Sequence, residues 1–188
     1  MELILKREII LDKTACRIFG VAVFVVLTAL GAFVRIPLPF TPVPVTLQTL
    51  FVLLGGLSLG RNWGALTQAL YIGLGILGAP VFSQAVRGLG FLAAPTAGYL
   101  LGFVLAAFFA GSFISSVRHK PFLILAVVLA ADMIILACGT LWLKFLFGCP
   151  LNKALLLGFL PFIPGDLLKA LAVTFIFLRL ESRLRVIF

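Results

Sequence analysis

Charge is scarce in this sequence, and acid is scarcer than base. Among 188 residues there are 15 Lys and Arg, six Asp and Glu, and one His. No polar stretch is long enough for a soluble domain, and the longest polar segment is the N-terminal one, residues 1–14. There is no G-x-x-x-x-G-K-[ST] run and no dinucleotide-binding glycine fingerprint, so the chain has no phosphate-binding loop with which to hydrolyse ATP by itself. The three cysteines, Cys16, Cys138 and Cys149, lie in apolar sequence without metal-ligand spacing. An odd count in such a setting argues against a disulfide framework and for small buried hydrophobes. No His/Cys/carboxylate cluster suggests a metal.

What the chain has in abundance is apolar residues: 63% of the sequence, with a mean hydropathy of +1.26. A soluble domain sits nearer half apolar. Six stretches, approximately 16–34, 45–60, 63–79, 96–117, 122–147 and 156–180, are long enough, or nearly so, to cross roughly 30 Å of hydrocarbon at about 20 residues each. The expected fold is an all-α membrane protein, a single six-helix transmembrane domain over residues 1–188. Residues 1–14 form a cytoplasmic N-terminal segment, with a proline-rich outer loop at 35–46 and a second outer loop at 80–95. The N-terminal segment mixes both signs of charge (Glu2, Lys6, Arg7, Glu8, Asp12, Lys13, Arg17) ahead of an apolar run of about 17 residues, which is long for a cleaved signal.

The net charge of +9 is explained by topology. With six spans and both termini inside, the inner side holds Lys6, Arg7, Lys13, Arg17, Arg61, Arg118, Lys120, Arg179, Arg183 and Arg185. The outer side holds Arg35, Arg87, Lys144 and Lys153. That asymmetry follows the positive-inside rule and favours anionic lipid. No basic–aromatic stripe offers a surface for nucleic acid.

Two loops depart from simple connectors. The run R-I-P-L-P-F-T-P-V-P-V-T-L-Q (35–48) carries prolines at 37, 39, 42 and 44, which cannot continue a helix and favour a stiff, extended backbone. It is also apolar, and we expect it to fold over the outer face as a lid, with Gln48 at its end. The segment 81–99 is apolar and carries one charge, Arg87. Irregular backbone at membrane depth survives where protein or a water-filled cavity covers it. In the last span, Pro161, Pro164 and Gly165 predict a break or kink. The first span has small residues at Gly20, Ala22, Thr28, Ala29, Gly31 and Ala32, suited either to packing within the chain or to docking a partner subunit.

Few motifs carry chemistry. G-L-S-L-G (56–60) matches the nucleophile-elbow pattern, which needs a strand–turn–helix and a His partner. The only histidine, His119, falls in a basic inner loop, and small-residue helix packing is the better reading. Asp132 and Asp166 lie on different spans, as in intramembrane aspartyl proteases. Those resemble Y-D and G-x-G-D, whereas this chain has Ala131-Asp132 and I-P-G-D (163–166).

Asp166 and Lys169 lie three residues apart, on one helix face. Charges in a membrane segment are costly and usually paired and functional. The pair is either an internal salt bridge or part of a polar-ligand site. Gln48, Arg87 and the Asp166/Lys169 pair all fall near the outer ends of their helices, with Tyr99 and Trp142 close by. Aromatic walls with a few convergent polar groups describe a small-molecule pocket.

With these residues assembled, the chain resembles the BioY family, the biotin-binding S components of energy-coupling factor (ECF) vitamin transporters. The likeness runs over about residues 20–185. It is carried by P-L-P-F-T-P-V-P-V-T-L-Q-T-L (37–50), G-A-P-V-F (78–82), P-T-A-G-Y-L-L-G-F (95–103), G-T-L-W-L (139–143) and P-F-I-P-G-D-L-L-K (161–169), in that order and spacing. The resemblance implies a six-helix S-component bundle in the prokaryotic cell membrane, a biotin site near the outer face, no cofactor and no enzymatic activity. It implies a transmembrane coupling subunit of the EcfT type and two ABC ATPase subunits as partners. It places Gln48, Arg87, Asp166 and Lys169 in or beside the ligand pocket. Asp166 is expected to accept a ureido N–H, Lys169 or Gln48 to donate to the ureido C=O, and Arg87 to meet the carboxylate. Phe82, Tyr99 and Trp142 are the candidate apolar walls. An S component for riboflavin or thiamin is the nearest alternative. Two features depart from the family: Ser83-Gln84-Ala85-Val86 stands where a glycine-rich loop is usual, and the first span lacks a clean A-x-x-x-A repeat for docking the coupling subunit.

Overall fold

The computed structural model describes residues 2–83, 88–118 and 120–187, with side chains described over 13–83, 88–118 and 120–181. Its helices are α1 (Glu2–Phe33), α2 (Gln48–Leu59), α3 (Arg61–Ile76), α4 (Ala97–Val117), α5 (Pro121–Phe147), α6 (Leu151–Gly158) and α7 (Ile163–Ile187). A 3-10 turn (Gly88–Ala93) precedes α4, and a two-stranded antiparallel ribbon, β1 (Arg35–Ile36) with β2 (Val45–Thr46), links α1 to α2. Local sequence explains several boundaries. Pro121 opens α5 at a position where a missing N–H costs nothing. Gly148 closes it in the left-handed conformation, with Lys144 in the last turn beside the free carbonyls.

Three segments are long and apolar enough to cross a membrane: Lys13–Phe33, Ala97–Val117 and Pro121–Phe147. A fourth is the pair Leu151–Gly158 and Ile163–Glu181, bent by 52°. By length and composition the described residues thus account for up to four of the six expected spans. The α2 helix has 12 residues and α3 has 16, below the about 20 needed to cross alone. Residues 45–46 are spent on the ribbon rather than on helix, which shortens α2. The sixth stretch is broken at residues 159–162, next to Pro161. Large apolar side chains such as Phe19, Phe122 and Phe145 point outward, 71%, 86% and 80% exposed, as a lipid-facing surface requires.

Close backbone approach holds the bundle together. Between helices surrounded by lipid the hydrophobic effect gives little, and packing of small residues takes over. On α4, Gly98, Gly102, Ala106 and Ala110 recur every fourth residue and are among the residues packed inside the bundle. A Cβ on Gly98 would stand 2.2 Å from Trp142 Cβ and 2.6 Å from the Cys138 carbonyl oxygen, and one on Gly102 would lie 3.0 Å from Ile135 Cα. The α2–α3 hairpin turns at Gly60, whose φ of +79° suits glycine, and packs on the far half of α4. A Cβ on Gly56 would lie 2.7 Å from the Ala107 carbonyl oxygen. Of the glycines of G-L-S-L-G, Gly56 is thus a spacer and Gly60 the turn residue, and Ser58 sits within a helix rather than on a strand–turn–helix. Three buried hydroxyls are satisfied locally: Thr28, Thr67 and Thr174 donate to the carbonyl four residues back, at 2.7, 2.7 and 2.8 Å. Cys16, Cys138 and Cys149 are free thiols, each half-buried.

The basic residues outside the cavity fall at the two ends of the bundle. Arg17, Arg61, Arg118 and Lys120 lie with the Gly60 turn, while Arg35, Lys144 and Lys153 lie at the end where α2, α4 and α7 begin.

Gly111 offers a direct test of this packing. A Cβ there would meet the backbone of Gly60 and Arg61 at 2.4 Å, and no flexible side chain can yield. Gly111→Ala is expected to destabilise the fold by about 1–3 kcal/mol. Gly73→Ala, with nothing within 4 Å, is expected to cost nothing. Thermal unfolding of both variants in detergent micelles checks the contrast.

Candidate functional site

The polar residues of the bundle converge where the ribbon meets α2 and α7. The ribbon is pinned to the end of α1 by the Leu47 N–H, which reaches the carbonyls of Gly31 and Val34 at 3.2 and 3.1 Å. Gly31 permits this: a Cβ there would lie 3.0 Å from the Gln48 nitrogen. Pairing of Arg35 with Thr46 and of Ile36 with Val45 then fixes the register. The loop between the strands is fastened at its far side by Thr41, whose hydroxyl donates to the Leu157 carbonyl at 2.6 Å. In a continuous helix that carbonyl would be served by residue 161, but Pro161 has no N–H. Thr41 takes its place.

The break after α6 also frees the Gly158 carbonyl, which accepts from the Tyr99 hydroxyl at 2.6 Å. Tyr99 fits because Gly139 and Gly158 have no side chain in its path; a Cβ on Gly139 would stand 2.2 Å from the ring.

Asp166 lies in the first turn of α7, where the helix dipole favours a negative charge. Its Oδ1 is 2.5 Å from the Lys169 Nζ, and the two side chains are 4% and 12% exposed. The ammonium also donates to the Thr46 carbonyl at 3.1 Å and to the Thr49 hydroxyl at 2.6 Å. An ammonium has three N–H donors, and all three are matched. Gln48, at the start of α2, belongs to a second chain of bonds. Thr46 donates to its Oε1 at 3.2 Å, its Nε2 donates to the Tyr71 hydroxyl at 2.7 Å, and that hydroxyl donates to the Val81 carbonyl at 2.8 Å.

These groups line one cavity, with about 430 Å³ of unfilled space, part of it open to the outside. Its polar side carries Thr46, Gln48, Thr49, Asp166 and Lys169; its apolar side is made by Tyr99, Leu100, Phe103, Leu136 and Phe162.

Of the residues singled out from sequence, Gln48, Tyr99, Asp166 and Lys169 share this cavity. Phe82 and Trp142 are not among the residues that line it, and pack beside it instead. Phe82 packs over Gly75 and against Tyr71 and Phe91, with ring centroids 5.7 and 5.4 Å away. Trp142 packs on Gly98 and donates its indole N–H to the Ala94 carbonyl at 3.0 Å. Both buttress residues near the cavity. Arg87, with Gln84–Val86, lies outside the described residues. Thr46, Thr49, Leu100, Phe103, Leu136 and Phe162 also line it and were not singled out. Of these, only Thr46 and Thr49, flanking Gln48, carry a polar group on the side chain.

Asp132 is buried, 1% exposed, and its Oδ2 has no hydrogen-bond partner among the described residues. It does not line the cavity. Asp166 is committed to Lys169, so the two acids do not present a shared water site of the aspartyl-protease kind. Among the described residues no three His, Cys, Asp or Glu gather as a metal site would require.

Removing one partner of a buried ion pair strands the other. Lys169→Met is expected to destabilise the ligand-free protein by about 3–5 kcal/mol. The double variant Asp166→Asn/Lys169→Met is expected to lose less, because no charge is left unpaired. Thermal unfolding of the two variants in detergent measures the difference.

The geometry can be set beside known proteins. The sequence profile of the BioY family matches residues 7–186. The probable biotin transporter BioY of Pyrococcus horikoshii is 40% identical over 162 residues, 86% of this chain and 94% of that protein. The biotin transporter BioY of Thermotoga maritima is 39% identical over 160 residues, 85% of this chain and 92% of that protein. A solved structure described as the S-component for biotin from an ECF-type ABC transporter superposes with a TM-score of 0.85 at 26% identity, covering 91% of this chain and 93% of that one. The likeness thus spans almost the whole chain, and this chain belongs to the BioY family.

Proposed function

We propose that this chain is the substrate-binding membrane subunit for biotin uptake, and that the cavity between the ribbon, α2, α4 and α7 is its biotin site. It is a transport subunit and not an enzyme. The observation that carries the site assignment is the Asp166–Lys169 pair, buried in an otherwise apolar cavity beside Gln48.

Biotin's ureido ring offers two N–H donors and one C=O acceptor, joined to a thioether ring and an alkyl chain. The salt bridge runs through Oδ1 of Asp166, which leaves Oδ2 to accept a ureido N–H. The Gln48 amide, which gives one of its two N–H groups to Tyr71, or Lys169, on exchanging its bond to Thr49, then donates to the ureido C=O. Tyr99, Phe103 and Phe162 supply the apolar walls that the thioether ring needs. Charged hydrogen bonds of this kind, shielded from water, favour one ligand strongly over analogues lacking the ring.

The partners in this reading are a transmembrane coupling subunit and two ABC ATPases, since the chain's solved relative is the S-component of an ECF-type ABC transporter. The concentration of Arg17, Arg61, Arg118 and Lys120 at one end supports a cell-membrane orientation with both termini in the cytoplasm and the cavity opening outward.

Isothermal calorimetry on the purified protein tests the reading. Biotin is expected to bind one-to-one, and riboflavin and thiamin not at all. Asp166→Asn is expected to weaken biotin by more than about 1–2 kcal/mol, the scale of a hydrogen bond to a charged group. Full affinity in that variant would remove the pair from the site, and binding of riboflavin or thiamin in place of biotin would move the chain to another ligand.

A further inference from the structure

Biotin carries its ureido ring and its carboxylate at opposite ends. If the ring lies against Asp166 and Lys169, the carboxylate must be met elsewhere. Among the described residues, Lys169 is the one cation lining the cavity, and its three donors already reach Asp166, Thr46 and Thr49.

A second, shallower space adjoins the cavity. It holds about 560 Å³, part of it open to the outside, and is lined by Arg35, Pro37, Leu38, Thr41, Pro42 and Pro44. Pro44 lines both spaces. Arg35 stands between them for two further reasons. It is paired across the ribbon with Thr46, a cavity residue, and directly opposed residues of an antiparallel pair share a face. Its guanidinium also donates to the carbonyl of Ser83, another cavity residue.

That bond anchors the side chain without exhausting it. A guanidinium has five N–H donors in a fork that matches a carboxylate. The surrounding prolines have no N–H to offer, and the Thr41 hydroxyl already donates to Leu157. Arg35 is exposed, so it can meet an anion arriving from water before the ring reaches the cavity.

We propose that Arg35 binds the carboxylate of the ligand, holding the tail in the proline-lined space while the ring occupies the inner cavity. The proposal rests on the biotin reading above.

Calorimetry with two ligands separates the possibilities: biotin, and its primary amide, which keeps both rings and the chain but has a neutral tail. The wild type is expected to prefer the acid. Arg35→Gln is expected to lower biotin affinity about tenfold or more, the effect of losing a charged hydrogen-bond pair, while leaving amide affinity unchanged. Retained amide binding also shows that the variant is folded. Arg35→Lys, a point charge without the fork, is expected to fall between. An equal loss for both ligands would make Arg35 a clamp on the loop and overturn the proposal. So would an unchanged preference in Arg35→Gln together with a lost one in Arg87→Gln, which would assign the carboxylate to Arg87. A wild type that binds acid and amide equally would leave the biotin reading intact and remove Arg35 from it. A wild type that binds neither would end both.

Discussion

The Lys169 ammonium ties three separate elements together. Its three donors reach Asp166 on α7, the Thr46 carbonyl on the ribbon and the Thr49 hydroxyl on α2. A buried charge is tolerated only when it is paired and its remaining donors are filled. Lys169 meets both conditions, but only while the ribbon, α2 and α7 stay in register. The α2 and α7 helices also pack against each other, but the ribbon has little to hold it. The ribbon has four residues, and such a hairpin is marginal by itself. Its position therefore depends on its end contacts: Leu47 on α1, Thr41 on α6 and the Thr46 carbonyl on Lys169.

The cavity exists because glycine is placed where aromatic side chains need room. Gly98 and Gly102 bring α4 onto α5, and Gly139 and Gly158 leave a slot for the Tyr99 ring. Close packing of helices and an open space beside them are two results of one arrangement. The polar side is built differently, from residues at element ends. Thr46 ends β2, Gln48 starts α2 and Asp166 lies in the first turn of α7. Helix ends carry unmatched backbone groups, so side chains there can serve structure and a ligand together.

Much of this was legible in the sequence, though unevenly. The α4 and α5 helices were read to within one residue of their ends. Each is an apolar run with clear punctuation, Pro95-Thr96 before one and Lys120-Pro121 between them. The α2 helix starts at Gln48 rather than at 45 because Val45 and Thr46 pair as strand, which a count of apolar residues does not show. The break in the last span was announced by Pro161, Pro164 and Gly165. Gln48, Tyr99, Asp166 and Lys169 were gathered by their level in the bundle, which topology supplies. Level does not give direction, however. Phe82 and Trp142 stand near the cavity and turn their rings to Gly75 and Gly98 instead. Thr49 escaped notice because one hydroxyl in an apolar helix has an ordinary local use, bonding the preceding turn.

The 52° break between α6 and α7 does more than bend the chain. It leaves two adjacent carbonyls, Leu157 and Gly158, without partners in their own helix. One is taken by Thr41 from the proline loop and the other by Tyr99 from the cavity wall. The loop and the wall are thereby fastened to neighbouring links of the same strip of backbone. Straightening that strip would release both at once, so the proline that interrupts the helix also couples the cover of the cavity to its interior.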